Sequence, residues 1–225
     1  MQLEWLDEVT ILQREKKNTV VNPSLFSLYF HELGWLCSAI IGDCEAIFEN
    51  TPILGKEHYI KVAPEIHARI SSVLINAANI KKLVNSARTK FKNESIAIFE
   101  LRQHRAETLR ETLSGIRIEE MFDNKVRNSL EHFDEYLDED ILRLSKIENV
   151  KDPMAVYNMV LSHREVFSPS VYPIRLYIAS ERKFYNMHCS IDIGKLYDEA
   201  CLILKRLKSS GVFPEEGPGG LMLKL

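Results

Sequence analysis

Residues 25–49 carry the feature that most limits what this chain can fold into. Phe26, Tyr29, Phe30, Leu33, Leu36, Cys37, Ile40, Ile41, Cys44 and Ile47 recur at three- and four-residue steps and cover far more than one face of a helix. A helix with that much apolar perimeter must be surrounded, so the rest of the chain has to be built around it. Asn22-Pro23-Ser24 supplies a turn and a capping side chain ahead of it, and Thr51-Pro52 stops it. Ile66, Ile70, Val73, Ala77, Ile80 and Val84 predict a second core helix over residues 64–86. Its Pro64 stands in the first turn, where a missing N–H costs nothing. Amphipathic or helical spacing also predicts helices over 1–18, from beyond the polar stretch 90–93 to Leu113, over 119–137, a shorter one from Pro153, and a last one over 193–208.

One segment has a different period. Tyr172, Ile174, Leu176 and Ile178 alternate with Pro173, Arg175, Tyr177 and Ala179, and residues 184–191 are rich in strand formers, which predicts a β-hairpin near 173–191. The 9 glycines and 8 prolines among 225 residues gather at a few points, as long helices with few turns require. The expected fold is therefore mainly α, a helical domain over 1–210 with a small C-terminal hairpin and a closing helix, followed by a mobile Gly- and Pro-rich tail over 211–225. A chain of this length hides roughly 70–75% of its unfolded surface and needs no metal or disulfide staple. Cys37, Cys44, Cys189 and Cys201 form no C-x-x-C pair. Cys37 and Cys44, two helical turns apart, are too distant to bond, so all four read as reduced thiols of a cytoplasmic protein. The first residues lack the basic-then-apolar pattern of a signal peptide, and no uncharged apolar run is long enough for a membrane span.

A net charge of −3 creates no global pull toward nucleic acid, so any polyanion site must be local. Residues 81–117 hold nine basic and four acidic side chains, whereas residues 119–140 hold nine acidic and two basic. Within the acidic stretch lies Arg127-Asn128-Ser129-Leu130-Glu131-His132. Arg127 and Glu131, four apart, have the spacing of a helix-surface ion pair. Another Arg-to-His pair, Arg182 and His188, has Lys183 as its following polar residue but falls in the predicted hairpin. Glu100 and His104 have the spacing of half a metal site with no second half, and no nucleotide-binding glycine motif occurs, so neither metal nor cofactor is expected.

Arg127-Asn128-x-x-x-His132 resembles the signature of the HEPN superfamily, an Arg, four to six residues and a His, with a polar residue after the Arg. Leu74-Ile75-Asn76-Ala77-Ala78-Asn79-Ile80 with Lys82, then Arg105 and Leu109-Arg110-x-x-Leu113, then Glu131-His132-Phe133-Asp134-Glu135, look like the helical core of HEPN-like proteins of the abortive-infection type. The likeness covers residues 25–208 in layout. It implies a HEPN-like helical bundle that dimerises. Many such proteins are metal-independent RNases of antiphage or toxin–antitoxin systems, and others are non-catalytic RNA-binding or regulatory modules. On this resemblance Arg127, Asn128 and His132 are catalytic, Arg102, Arg105 and Arg110 contact RNA, and the partners are RNA, a second copy and an antitoxin protein. A five-residue step turns about 140° around a helix, so Arg127 and His132 do not share a face, and a two-fold axis through the motif helix would bring one Arg to the other His.

Overall fold

The computed structural model describes residues 21–53, 58–147, 154–167, 170–214 and 219–224; the helix expected over 1–18, and Pro153, lie outside them. The described elements are α1 (Pro23–Asn50), β1 (Ile60–Lys61), α2 (Pro64–Val84), α3 (Ile96–Thr112), α4 (Lys125–Glu131), α5 (Phe133–Leu144), β2 (Ala155–Leu161), a 3-10 turn (Arg164–Val166), β3 (Tyr172–Ile178), β4 (Lys183–Asn186), β5 (Cys189–Asp192) and α6 (Ile193–Ser209). The periodicity of α1, α2 and α6 is reproduced to within a few residues. Asn22 caps α1 through its side chain, which accepts the Leu25 N–H at 3.1 Å. By length and composition α1 would suffice to cross a membrane. Its Phe30, Leu33, Leu36, Cys37, Ile40, Cys44 and Ile47 are instead buried within the protein, as the wide apolar arc requires.

The helical bundle with an appended hairpin is not what forms. Of the described residues 56% are helical and 13% are strand, and the strands make one five-stranded mixed sheet in the order β1-β2-β3-β4-β5. Two segments account for the difference. The segment after Pro153, expected to be helical, is β2, antiparallel to β1 and parallel to β3. Its run Ala155-Val-Tyr-Asn-Met-Val-Leu161 lacks clean alternation because Val160 and Leu161, neighbours in sequence, are both buried, and a short apolar run of that kind reads equally as helix. The second arm of the expected hairpin folds on itself at Met187 and His188. The antiparallel pair β3–β4 is therefore followed by a second pair, β4–β5, with Asn186 opposite Cys189.

The motif helix also differs from expectation. A single helix over 119–137 is replaced by α4 and α5, with His132 between them as the C-cap of one and the N-cap of the other at φ −109°, ψ 45°. The main-chain bonds His132 N–H to Asn128 O, 2.9 Å, and Tyr136 N–H to His132 O, 3.1 Å, persist across the break.

The chain divides into two compact units: Met1–Ser38, Asn79–Ile116 and Ile203–Leu225 form the first, and Ala39–Ala78 and Arg117–Leu202 the second. In the first, Phe26, Phe30, Leu33, Ile80, Ala106, Leu109 and Leu207 are buried. Phe213 is too, at 4% exposed, so this residue of the expected mobile tail packs instead of waving in solvent. The second unit contains the whole sheet, α4 and α5. Val156, Leu161, Leu176 and Ile178 make one apolar cluster there, and among the described residues Tyr177 and Phe184 are the largest side chains fully removed from water. Burial of the Phe184 ring stabilises by about 1.5–3 kcal/mol.

Candidate active site

The segment leading into α4 is held by a buried side chain of α6. Glu199, 8% exposed, accepts the N–H groups of Glu119 at 2.8 Å and Glu120 at 2.9 Å on one carboxylate oxygen, and that of Met121 at 2.8 Å on the other. Glu120 in turn accepts the Asp192 N–H at 2.6 Å. Three successive N–H groups aimed at one carboxylate make a charge-assisted clasp. A second anchor lies inside the motif. Ser129 is fully buried, and Asn186 donates to its hydroxyl at 2.9 Å and to its carbonyl at 3.2 Å. The Asn186 side-chain oxygen accepts the Arg175 N–H at 3.2 Å, so one buried amide ties α4 to β3 and β4.

On this frame Arg127 and His132 face different neighbours. Arg127 closes an ion pair with Glu131, and its buried Nε has no hydrogen-bond partner. The side chain of His132 is 56% exposed, with Nδ1 3.6 Å from Glu135. Asn128 is half-buried one residue beyond Arg127 in α4. The three motif residues therefore stand on one short stretch, without Arg and His converging on a common point in a single copy.

The three arginines assigned to RNA belong to the first unit and form hydrogen bonds within it. Arg102 grips Glu94 with two bonds of 2.8 Å, donates to the Ala87 and Thr89 carbonyls, and stacks on Phe91 at 4.5 Å. Arg105 donates to the Leu83 and Lys82 carbonyls at the end of α2, and Arg110 to the Ala106 carbonyl. His104, half of the Glu100–His104 pair, stacks on Phe26 at 5.2 Å.

A cluster that the sequence did not reveal lies on α5. Asp140, the only residue buried in that helix, is 2% exposed. It accepts the Tyr172 hydroxyl, the Arg143 guanidinium at 2.8–2.9 Å, and approaches His188 Nδ1 at 3.5 Å. Burial pushes its carboxyl up, but the bonds from Tyr172, Arg143 and His188 and the Arg143 charge outweigh that, so it stands below its ordinary value. Burial and then the Asp140 bond push the Tyr172 phenol well above its usual range, so it remains a donor. His188, in the turn between β4 and β5, is about half exposed and stacks on Tyr136, with ring centroids 5.6 Å apart and an interplanar angle of 15°. His132 stands four residues before Tyr136, at the N-cap of α5, where its main-chain carbonyl accepts the Tyr136 N–H at 3.1 Å. A carboxylate on Nδ1 fixes the imidazole and leaves Nε2 to exchange protons with a ligand.

Among the described residues no three His, Cys, Asp or Glu side chains gather as a metal-binding group. Comparison with protein-family models, with curated proteins and with solved structures finds no match to this chain.

Proposed function

We propose that this protein cleaves RNA by metal-independent acid–base chemistry that uses His132 and His188. The observation that carries the reading is the His188–Asp140 pair stacked on Tyr136, one helical turn from the exposed His132 of the Arg–Asn–His motif. One imidazole at the N-cap of α5 and one stacked on Tyr136 of the same helix give the base and the acid that transesterification needs. His132 takes the proton of a ribose 2′-hydroxyl, the freed oxygen attacks the adjacent phosphorus, and the bond to the 5′-oxygen breaks. His188, oriented by Asp140, returns a proton to that oxygen. The products are a 2′,3′-cyclic phosphate and a 5′-hydroxyl, and DNA is inert because it has no 2′-hydroxyl. Asn128 orients the ribose or the His132 ring.

Arg127 is the cation for the phosphate, and an incoming phosphate has to displace Glu131 from it. A second copy docked through α4 and α5 supplies Arg127 beside the other copy's His132. Ile141 and Leu142 of α5, 53% and 63% exposed, support that contact. A non-catalytic RNA-binding module is the second reading, favoured by the Arg127–Glu131 pair and by the carboxylates of Asp134, Glu135, Asp138 and Glu139, which repel a polyanion. Incubation with a single-stranded RNA, with and without chelator, separates the two. The catalytic reading requires cleavage that persists with chelator, is absent on DNA of the same sequence, and falls on the order of 10²–10⁴-fold in His132→Ala. Binding of that RNA without any cleavage leaves only the module.

A further inference from the structure

The second unit also carries a half-open cavity of about 340 Å³ lined by His67, Ala68, Ser71, Leu130, Arg175 and Phe184. Leu130 belongs to the motif helix, so the cavity borders it from the side of the sheet. Its arginine and histidine carry buried nitrogens without hydrogen-bond partners. The Arg175 guanidinium lies over the Phe133 ring at 5.0 Å, and its Nε is buried with no hydrogen-bond partner. Among the described residues no carboxylate forms an ion pair with it. Both ring nitrogens of His67 are buried and likewise unpartnered. The Asn158 main chain approaches that ring without reaching hydrogen-bond geometry. Buried polar groups are normally satisfied, so an arginine and a histidine both left wanting at one cavity point to a ligand.

The backbone is strained at the same place. Arg175 has φ +53° and Asn158 φ +54°, both in the left-handed region that disfavours side chains with a Cβ. They oppose each other in the parallel pair, between the Tyr157–Ile174 and Met159–Leu176 partners. The bond from the Arg175 N–H to Asn186 holds this kink, which turns an otherwise ordinary sheet position toward the cavity. Burial, with the Arg175 charge adding to it, pushes the His67 pKa down against the smaller opposing effects of Asn158 and Glu65. A neutral His67 offers one donor and one acceptor. Ser71 donates its hydroxyl to the His67 carbonyl at 3.0 Å, which leaves its own oxygen to accept.

We propose that this cavity binds a small phosphate ester that carries hydroxyl groups, a ribose phosphate free or within a mononucleotide. Arg175 takes the phosphate through its fork, His67 donates beside it, and Ser71 accepts from a sugar hydroxyl. The volume sits at the lower end of small-ligand sites, about 300–1,000 Å³, which suits a sugar phosphate and excludes a folded nucleic acid. The site stands whether or not the protein cleaves RNA, because ribose 5-phosphate has no internucleotide bond to cut.

Titration calorimetry of the full chain with ribose 5-phosphate, uridine 5′-monophosphate and unphosphorylated ribose tests it. Both phosphates should bind, ribose should not, and Arg175→Gln should weaken ribose 5-phosphate binding about 10-fold or more, the loss expected for one charge-assisted fork. Arg175 stacks on Phe133, so the substitution can disturb folding. Ala68→Phe, at an exposed position of α2 on the cavity rim, is the second variant and should abolish binding with an unchanged circular dichroism spectrum. Ribose binding as tightly as its phosphate, no binding of either phosphate at millimolar concentration, or full binding in Ala68→Phe would overturn the proposal.

Discussion

Replacing Glu199 tests how the site is held, because the loss can be counted bond by bond. One carboxylate oxygen accepts from Glu119 and Glu120, and the other from Met121. Glu199→Gln keeps the shape but turns one oxygen into an amide that can only donate. If the remaining oxygen faces Glu119 and Glu120, one bond is lost and two donors meet at Met121. In the opposite orientation two bonds are lost. Hydrogen bonds to a charged group contribute about 1.5–3 kcal/mol each, so even the better orientation costs about 2–3 kcal/mol. Glu199→Ala removes both acceptor oxygens and all three bonds and costs about 3–5 kcal/mol, as breaking a buried charged contact does. For a chain of this length each kcal/mol lowers Tm by about 2–4 °C. Thermal unfolding followed by circular dichroism should therefore show drops of about 4–12 °C for Gln and a larger one for Ala. A Glu199→Gln protein that melts with the wild type would refute the clasp and, with it, the account of how α4 is positioned.

Four further outcomes follow. Asp140→Asn removes the charge that orients His188, so kcat should fall about 10²-fold with KM little changed, and a loss in KM alone would show that Asp140 serves folding only. Glu131→Gln releases Arg127 from an exposed pair worth about 0.2–1 kcal/mol, so RNA affinity should rise by about 1.4- to 5-fold, and weaker binding would remove Arg127 from the phosphate site. A Cβ on Gly34 would lie 2.4 Å from the Phe213 ring, whereas one on Gly42, in the same helix, meets nothing within 4 Å. Gly42→Ala should stabilise by about 1 kcal/mol through helix propensity, and Gly34→Ala should destabilise, because unseating Phe213 forfeits about 1.5–3 kcal/mol against the same gain. The bonds from Arg102 hold the Glu94 carboxyl down to about 2. A lowered folded-state pKa stabilises above the ordinary carboxyl range and is lost as pH falls through the folded value. The stability gap between wild type and Glu94→Gln, read by urea unfolding, should thus be full near neutral pH and shrink toward pH 2, and a constant gap would contradict it.

The helices that bury a continuous apolar stripe were legible in the sequence, because Phe26 through Ile47 and Ile66 through Val84 carry the helical period with little interruption. The sheet was half legible. β3 alternates in residue type although Leu176, Tyr177 and Ile178 are all buried, whereas β2 has no alternation in its sequence to read. Arg127 and Glu131 pair at the four-residue spacing visible in the chain. His188 and Asp140 are 48 residues apart, and their contact exists only because β4 turns back at His188 against α5. His188 was visible only as the end of a chance Arg182-to-His188 spacing. The left-handed Arg175 leaves no trace in sequence either, since nothing local demands that conformation of an arginine. Arg102, Arg105 and Arg110 show the converse: cations that read as a polyanion surface also donate to carbonyls and one carboxylate within their own unit.

The most direct test of the account is the chemistry of the ends left on a short RNA, read by mass spectrometry for wild type, His132→Ala and His188→Ala, beside a substrate with one 2′-deoxy residue at the cut site. The account predicts a 2′,3′-cyclic phosphate and a 5′-hydroxyl from the wild type in chelator, no product from the 2′-deoxy substrate, and severe loss in both variants. A 3′-hydroxyl with a 5′-phosphate, or cleavage that survives the loss of both histidines, would contradict it.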